Sequence, residues 1–452
     1  MQDTRRPDLK LLEGGVLKEA EETIKADHVG NNPETDSDSA TALQLFLDRI
    51  PINNSIPGIK NSPVVELKTG DTVKDAIEFL YTKNAFGAPI VDVLDPEIPL
   101  TRFPDRYIGF LDFATLVLWS LQVCVCVVMP FCRMLARRLA TQYVCVCVYV
   151  CMYDYVLLQN ASKETDKGNF MSLLEKNPEI GNTKVGELAK SFLWNPFFPV
   201  RLEDTLFHVL LLISKHRIQV VPVVEQSNLK VTGFVTQNAV IQLLLQSDGL
   251  TWFDSIAEKP LSEFRFENES VSFVYGDESI ADALHVLFKS QTGAVAVINR
   301  QTRMLIGSVR NGDVYLLMEN DKIFRDRKVV TVEEFIRIET SDRDPDPIIK
   351  RDMGALLSAG VLQLRNKYRP RMDSPVTNKK TDTLKEAMKN VARTKSDFCF
   401  QVDDSQHLLG ILTLRDIILQ FSPPSMNSNI HGGGFFETAL ELTGCQIKGG
   451  TL

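Results

Sequence analysis

The stretch "DTLKEAMKNVARTKSDFCFQVDDSQHLLGILTLRDIILQF", residues 382–421, holds the unit from which the chain is built. Its first part places Leu384, Ala387, Met388 and Val391 at i, i+3, i+4 and i+7, one apolar stripe on an amphipathic helix. "FCFQVD" (398–403) then reads as a short apolar strand, and "LLGILTL" (408–414) as a second strand opening at a glycine. The polar turn between them is short enough for a hairpin. "RDIILQF" (415–421) closes the unit with a second helix.

The same order recurs three times upstream. "DTVKDAIEFLYTKNA" (71–85) carries the stripe Val73, Ala76, Ile77 and Leu80. "DTLFHVLLLISKHR" (204–217) carries Leu206, Val209, Leu210 and Ile213, and "ESIADALHVLFKSQ" (278–291) carries Ile280, Ala283, Leu284 and Leu287. First strands follow in "FGAPIVDV", "VVPVVE" and "AVAVIN", and glycine-opened second strands in "YIGFLDF", "VTGFVTQ" and "LIGSVRN". Two residues before each stripe stands an acid, Asp71, Asp204, Glu278 or Asp382, placed to cap the first backbone amides and to complement the helix dipole. A unit this small buries little core alone, so neighbouring units are expected to pair.

Of the 452 residues 44% are hydrophobic and 24% charged, the composition of an ordinary globular chain. A net charge of -8 with no basic stripe excludes a nucleic-acid-binding surface. "MQDTRRPDLKLLEGG" has no apolar core segment, so no secretory signal is expected. Six of the eight cysteines fall in one odd stretch, leaving Cys399 and Cys445, too few for a disulfide framework. The expectation is an intracellular protein, cytoplasmic or nuclear.

The repeat resembles the CBS module, named after cystathionine beta-synthase. Four modules in one chain resemble the gamma regulatory subunits of the AMP-activated and sucrose-non-fermenting-related protein kinases. The strings "RYIGFLDFATLVLWSL" (106–121), "NTKVGELAKSFLWNPFFPV" (182–200) and "GLTWFDSIAEKPLSE" (249–263) resemble the plant type in particular. The resemblance implies an α/β fold of α+β CBS modules, the four repeats forming two pseudo-symmetric pairs in a disk, first with second and third with fourth. The expected boundaries are a disordered segment 1–44, repeats at 45–122, 161–250, 255–322 and 365–424, a charged linker 323–364 and a tail 425–452. Within the linker, "TVEEFIRI" (331–338) reads as a short helix. The implied partners are an alpha-type kinase catalytic subunit and a beta-type scaffold subunit, with AMP, ADP or ATP as candidate regulatory ligands and no cofactor.

Residues 123–160 interrupt this scheme with "VCVCVVMPFCRMLARRLATQYVCVCVYVCMYDYV" (123–156). Alternating C-x-C lacks the paired spacings and histidines of a zinc site. A membrane hairpin needs about 20 apolar residues per span, but the alternation has period two and the upstream run borrows a helix that the first repeat needs. A tract of alternating G and T translates to alternating valine and cysteine, so about residues 123–158 read as retained intron sequence, with the membrane hairpin as the other open reading.

In nucleotide-binding CBS modules the glycine strand continues as G-h-h-[ST]-x-x-D, the aspartate accepting from both ribose hydroxyls. "GILTLRD" matches with Gly410, Thr413 and Asp416. "GSVRNGD" keeps Asp313 but has Arg310 at the hydroxyl position, "GFVTQNA" keeps Thr236 but ends in Ala239, and "GFLDFAT" exchanges the two with Asp112 and Thr115. The resemblance therefore implies a nucleotide site in the third and fourth repeats. Two roles stay open for Asp416 and Asp313: ribose acceptor, or helix cap.

The family's phosphate-binding His-Arg pair is missing. Gln219 and Val220 occupy its place in the second repeat and Asp397 and Phe398 in the fourth, while His216 and Arg217 lie three residues early. Arg310, Arg415 and Lys395 are the candidate substitute cations. Catalysis has no motif to rest on: there is no H-E-x-x-H, no nucleophile elbow and no Gly-rich phosphate loop. Cys399 falls in an apolar strand, and His208 and His285 fall within first helices. A regulatory subunit, a nucleotide-blind interaction scaffold and a membrane protein with a cytosolic CBS array are the three readings, in that order.

Overall fold

The computed structural model describes residues 47–55, 64–92, 106–128, 168–191, 197–216, 218–225, 230–264, 266, 271–338, 362–365 and 369–422. The segments read as 1–44 and 425–452, and all but the first residues of 123–158, lie outside this set.

Each repeat opens with a strand of two or three residues that sequence periodicity is too coarse to show. In the first repeat β1 (Leu67–Lys68) precedes α2 (Val73–Thr82), which follows a short α1 (Ile52–Ser55). β2 (Gly87–Val91), β3 (Tyr107–Asp112) and α3 (Phe113–Val128) complete it. Between repeats run α4 (Phe170–Lys176), α5 (Pro178–Gly181) and α6 (Val185–Ser191). The second repeat is β4 (Val200–Arg201), α7 (Leu206–Lys215), β5 (Val220–Val224), β6 (Val231–Thr236) and α8 (Gln237–Leu245), followed by α9 (Thr251–Ala257). The third is β7 (Phe273–Tyr275), α10 (Ile280–Ser290), β8 (Ala294–Ile298) and β9 (Leu305–Arg310), then α11 (Leu316–Glu319), α12 (Asp321–Arg325) and α13 (Val332–Ile336). The fourth is β10 (Thr377–Lys379), α14 (Leu384–Thr394), β11 (Phe398–Val402), β12 (Leu408–Thr413) and α15 (Leu414–Gln420). In every repeat the opening strand lies parallel to the middle one and the hairpin is antiparallel.

The turn into each first helix corrects one expectation. The caps are Thr72, Ser279 and Thr383, whose hydroxyls accept from the N3 amides of Asp75, Asp282 and Glu386; in the second repeat Thr205 pairs with His208 instead. The acid one residue earlier reaches backwards. Asp71 accepts from the amide of Lys68 at 2.7 Å, Asp204 from Arg201 at 2.7 Å, Glu278 from Tyr275 at 3.1 Å and Asp382 from Lys379 at 2.8 Å. It braces the end of the opening strand against the helix start, which fixes the angle between them.

The hairpins share a bulge, falling after Ile90, Val223, Val297 and Gln401, each of which faces the glycine of its partner strand. At Gly307 the reason is steric: a Cβ would stand 2.7 Å from the Met372 carbonyl oxygen and 2.5 Å from Ile336 Cδ1.

Sheets pair first with second and third with fourth. Tyr107 and Phe110 pack on Val231 and Phe234, with the Phe110 and Phe234 rings edge to face at 5.8 Å. The Tyr107 hydroxyl donates to Glu66 at 2.6 Å and accepts from the Val231 amide at 3.2 Å, tying the two repeats. Ala294 and Ala296 likewise meet Phe398, Phe400 and Ile411. The helices pair differently. One core joins α2 and α3 with α10, first repeat to third, and the other joins α7 and α8 with α14 and α15, second to fourth. Sheet contacts and helix contacts therefore alternate around a closed ring of four units.

The segments between repeats lock this ring. The first amide of each first helix donates to a carbonyl of a docked segment: Val73 to Thr183, Leu206 to Ile50, Ile280 to Val330 and Leu384 to Lys259. These bonds satisfy one of the orphan helix donors in each repeat. Residues 182–186 thus dock on the first repeat although they fall within 161–250, and 259–263 dock on the fourth although they fall within 255–322. Phe253 of α9 stacks on Phe421 at 5.3 Å, and Phe170 of α4 meets Phe324 edge on at 5.7 Å. Lys385 of α14 binds Asp248, Asp254 and Glu258, which hold its ammonium above the usual lysine range. α3 carries on as helix through residues 123–128, the start of the valine–cysteine run. Among the described residues no helix is long and apolar enough to cross a membrane.

Two outcomes check this architecture. Phe253→Ala should cost about 3–5 kcal/mol and lower the urea midpoint of the full chain. A fragment of residues 255–425 leaves the α10 and α14 faces without their partner repeats, so it should lack a cooperative urea transition; a sharp one would show the second pair to be self-sufficient.

Candidate functional site

Where the four units meet, the ring encloses a cavity of about 190 Å³. Phe86 reaches it from the first repeat, Thr236 and Asn238 from the second, Gly293 and Arg310 from the third, and Asp397, Thr413 and Asp416 from the fourth. The cavity thus collects the starts of three second helices and the turns that follow the first helices. Leu362 and Arg369, from the linker before the fourth repeat, line it too.

Of the G-h-h-[ST]-x-x-D positions, Thr236, Arg310, Thr413 and Asp416 come together here, whereas Asp313 and the first repeat's Asp112 and Thr115 stand outside the cavity lining. Thr413 and Asp416 form a reciprocal capping box: the Thr413 amide and hydroxyl donate to Asp416 Oδ2 at 2.9 and 2.6 Å, and the Asp416 amide returns to Thr413 Oγ1 at 3.2 Å. Asp416 is 2% exposed. In the second repeat Thr236 accepts from the Ala239 amide, so the cap remains and the carboxylate is absent. The first repeat is a mirror of the box, with Asp112 accepting from the Thr115 amide at 2.8 Å and hydroxyl at 2.6 Å. Burial pushes the Asp112 carboxyl above its ordinary range, against the pull of Thr115.

The third repeat departs most. Arg310 binds Asp313 in a fork, Nε to Oδ2 at 2.6 Å and Nη2 to Oδ1 at 2.9 Å, with both residues buried. Both oxygens of Asp313 already accept from Arg310, so a ribose would have to share them with a buried guanidinium. Asp416 remains the carboxylate of the motif with Oδ2 alone assigned to the cap.

The candidate cations divide. Arg415 lines the cavity but caps the carboxyl end of α7, donating to the carbonyls of Ile213 at 3.2 Å and Ser214 at 2.9 Å. Lys395 stands at the left-handed cap of α14, outside the cavity lining, its ammonium held below the usual range by burial. His216 stacks on Phe198 at 4.1 Å, and burial, aided by the Arg415 charge, holds its imidazole below the ordinary range. Arg217 lies outside the described residues.

Sequence reasoning missed Arg369. Neither the helix stripe nor the glycine strand reaches it; its one signal is the cationic run "RNKYRPR" (365–371). The structure brings its guanidinium over Gly312, donating to the Gly312 carbonyl, with Asp313, Arg310 and Asp397 all close enough to act on its charge. Gly312 is the seat that allows this: a Cβ there would stand 2.2 Å from the guanidinium carbon.

Asp397 opens onto the cavity, where its side chain is exposed. It accepts from Asn238 Nδ2 at 2.9 Å. The protein packed around the cavity wall removes part of its solvation and pushes its carboxyl up, opposed by Arg369, Arg310 and that hydrogen bond. Asn238 is 2% exposed and its Oδ1 has no donor. Cys399, just behind on β11, is buried in apolar surroundings that push its thiol up to about 12, which makes it inert. His208 caps α7 and His285 bonds Gln122 across the first–third interface at 2.8 Å. Among the described residues no cluster of three metal-ligating side chains occurs.

Comparison with known proteins bears on the family and the repeat unit. The CBS domain family matches residues 185–246 and 372–422, the second and fourth units. The SNF1-related protein kinase regulatory subunit gamma-1 of Arabidopsis thaliana is 26% identical over 407 residues, covering 88% of this chain and 87% of that protein. A gamma-1-like regulatory subunit of the same plant is 24% identical, covering 85% and 88%. Among solved structures, the protein MJ1225 of Methanocaldococcus jannaschii is 12% identical with a TM-score of 0.45, covering 82% of this chain and all of that one. The chain is a homologue of the SNF1-related protein kinase regulatory gamma subunits, a regulatory protein of CBS units rather than an enzyme.

Proposed function

We propose that the chain is the gamma-type subunit of a heterotrimeric serine/threonine protein kinase and that it holds an adenosine nucleotide in the central cavity, chiefly through the third and fourth repeats. The observation that carries this reading is the placement of Asp416 and three arginines, Arg310, Arg369 and Arg415, around one cavity at the junction of all four units. Asp416 would accept from the ribose through the oxygen not assigned to the cap; a carboxylate can accept on both oxygens at once. Thr413 holds that carboxylate in place. The partners are an alpha-type catalytic subunit and a beta-type scaffold subunit.

Regulation follows from position. A ligand at the junction touches four units that meet through two kinds of interface, so it favours whichever arrangement of the ring presents the cavity best. Only a difference in affinity between arrangements can move the equilibrium.

A second reading, a scaffold with no nucleotide, is favoured by Asp397 at the phosphate position and by Asp313 being paired with Arg310. Thermal unfolding of the full chain separates the two. AMP, ADP or ATP at about 100 times its dissociation constant stabilises by about 2.7 kcal/mol, and Asp416→Asn should abolish the shift while leaving Thr413 an oxygen to cap. No shift in a chain that unfolds cooperatively would establish the scaffold.

Asp397 supplies a test that needs no ligand. Its folded carboxyl is raised above the unfolded value, so the folded state binds that proton more tightly and stability falls as pH rises through the window between the two. Asp397→Asn should therefore raise the urea midpoint at pH 7 and leave it little changed below the unfolded aspartate value of about 3.9. Equal effects at both pH values would show that the carboxylate is not strained.

A further inference from the structure

We infer that residues 362–365, from the linker before the fourth repeat, are a detachable strap that occupies the first repeat's end of the cavity. The inference concerns how much of the cavity stands open, and it borrows from the nucleotide reading only the probe that measures this.

The four repeats do not share the cavity equally. The residue before each hairpin, Phe86, Gln219, Gly293 or Asp397, lines it. Its carbonyl takes the amide of the residue that follows the hairpin, Phe113, Gln237, Asn311 or Leu414, at 2.8 to 3.4 Å. In the second, third and fourth repeats that following residue lines the cavity too, as does the last hairpin residue, Thr236, Arg310 or Thr413. In the first repeat Asp112 and Phe113 do not. Both are buried, and Leu362 stands in the lining beside Phe86.

What covers that end is backbone. The Phe86 amide donates to the Leu362 carbonyl at 2.7 Å, the Leu364 amide to the Asn84 carbonyl at 3.1 Å, and the Arg365 amide to Asn84 Oδ1 at 2.8 Å. Among the described residues, Phe86 alone of the four positions gives its amide to a linker carbonyl. Arg365 then lies over the Tyr81 ring at 4.2 Å and donates to Glu319 of α11 at 2.6 Å, so the strap spans the first and third repeats. Its fastenings are light. The Arg365–Glu319 pair is about one-third exposed on both sides, where an ion pair contributes little, and Leu364 is the one buried residue of the four. Segments held this way open locally before the fold as a whole does.

Space gives the strap its consequence. With it in place the cavity holds about 190 Å³, below the roughly 300 Å³ at which pockets for small molecules begin. Lifting it frees the Phe86 amide and the apolar surface on which Leu362 packs. Strap and ligand therefore compete, and a closed strap lowers apparent affinity in proportion to the fraction of molecules it closes.

The experiment is hydrogen exchange and AMP calorimetry on the full chain, as wild type, Asn84→Gly and Arg365→Ala. Asn84 stands at φ 53°, so glycine keeps the backbone angle and deletes one acceptor. Without ligand, each variant should speed exchange of the Phe86, Leu364 and Arg365 amides together, by about threefold to tenfold. The hairpin amides of 294–298 and 398–402 should be unchanged. Each variant should bind AMP at least about threefold more tightly, and AMP should speed strap exchange in the wild type, since coupling is reciprocal. Acceleration spread equally over the hairpins would make 362–365 part of the core and overturn the inference. Local acceleration with AMP affinity unchanged or weaker would overturn it as well, while sparing the nucleotide reading. If no chain binds AMP, the nucleotide reading falls and exchange alone decides: local opening upholds the strap, and uniform or absent acceleration removes it.

Discussion

The structure depends on the burial of one apolar stripe per repeat that its own repeat cannot cover. Val73, Ala76, Ile77 and Leu80 of the first repeat are buried in the core that holds Ile280, Ala283, Leu284 and Leu287 of the third. Leu206, Val209, Leu210 and Ile213 of the second share theirs with Leu384, Ala387, Met388 and Val391 of the fourth. Because the sheets associate along the other direction, every repeat has two neighbours of different kind. A ring is the closed solution for four such units, and a closed ring has a middle. The cavity is thus a consequence of how apolar surface is hidden, with the functional groups placed on the edges that the ring turns inward.

The interlocking segments make the ring a single unit. Each first helix needs an acceptor for its first amide, and each finds it in a segment that sequence order would assign elsewhere: Ile50 for the second repeat, Thr183 for the first, Lys259 for the fourth, Val330 for the third. Ligand contacts on one repeat therefore bear on stretches of chain far away in sequence. This gives a physical route from the cavity to an outer surface without any change in the fold of a single unit.

The four helix stripes were legible in the sequence because their burial has the period of a helix and is repeated; all sixteen of those residues are buried. The hairpins were legible through their glycines. The opening strands were not, since two or three residues carry no period. The acids before each helix were visible but misassigned: the helix periodicity locates a terminus only to within a residue or so, and Asp71, Asp204, Glu278 and Asp382 bond back to the strand instead of forward. At the site, Thr413 and Asp416 were found from the motif and Arg310 and Arg415 as candidate cations, and all four line the cavity, whereas the candidates Asp313 and Lys395 do not. Arg369 was out of reach, because only the three-dimensional path of the linker brings it beside Asp397. The pairing of Arg310 with Asp313 could not be read from spacing either, as it turns a motif aspartate into the partner of its own neighbour.

Hydrogen–deuterium exchange on the full chain, with and without saturating AMP, tests the central claim most directly. The account predicts slower exchange, at the same AMP concentration, in residues 236–239 of the second repeat, 290–313 of the third, 369–372 of the linker and 396–416 of the fourth, since one cavity joins all of them. Protection confined to a single repeat, or none in a chain that remains folded, would contradict it.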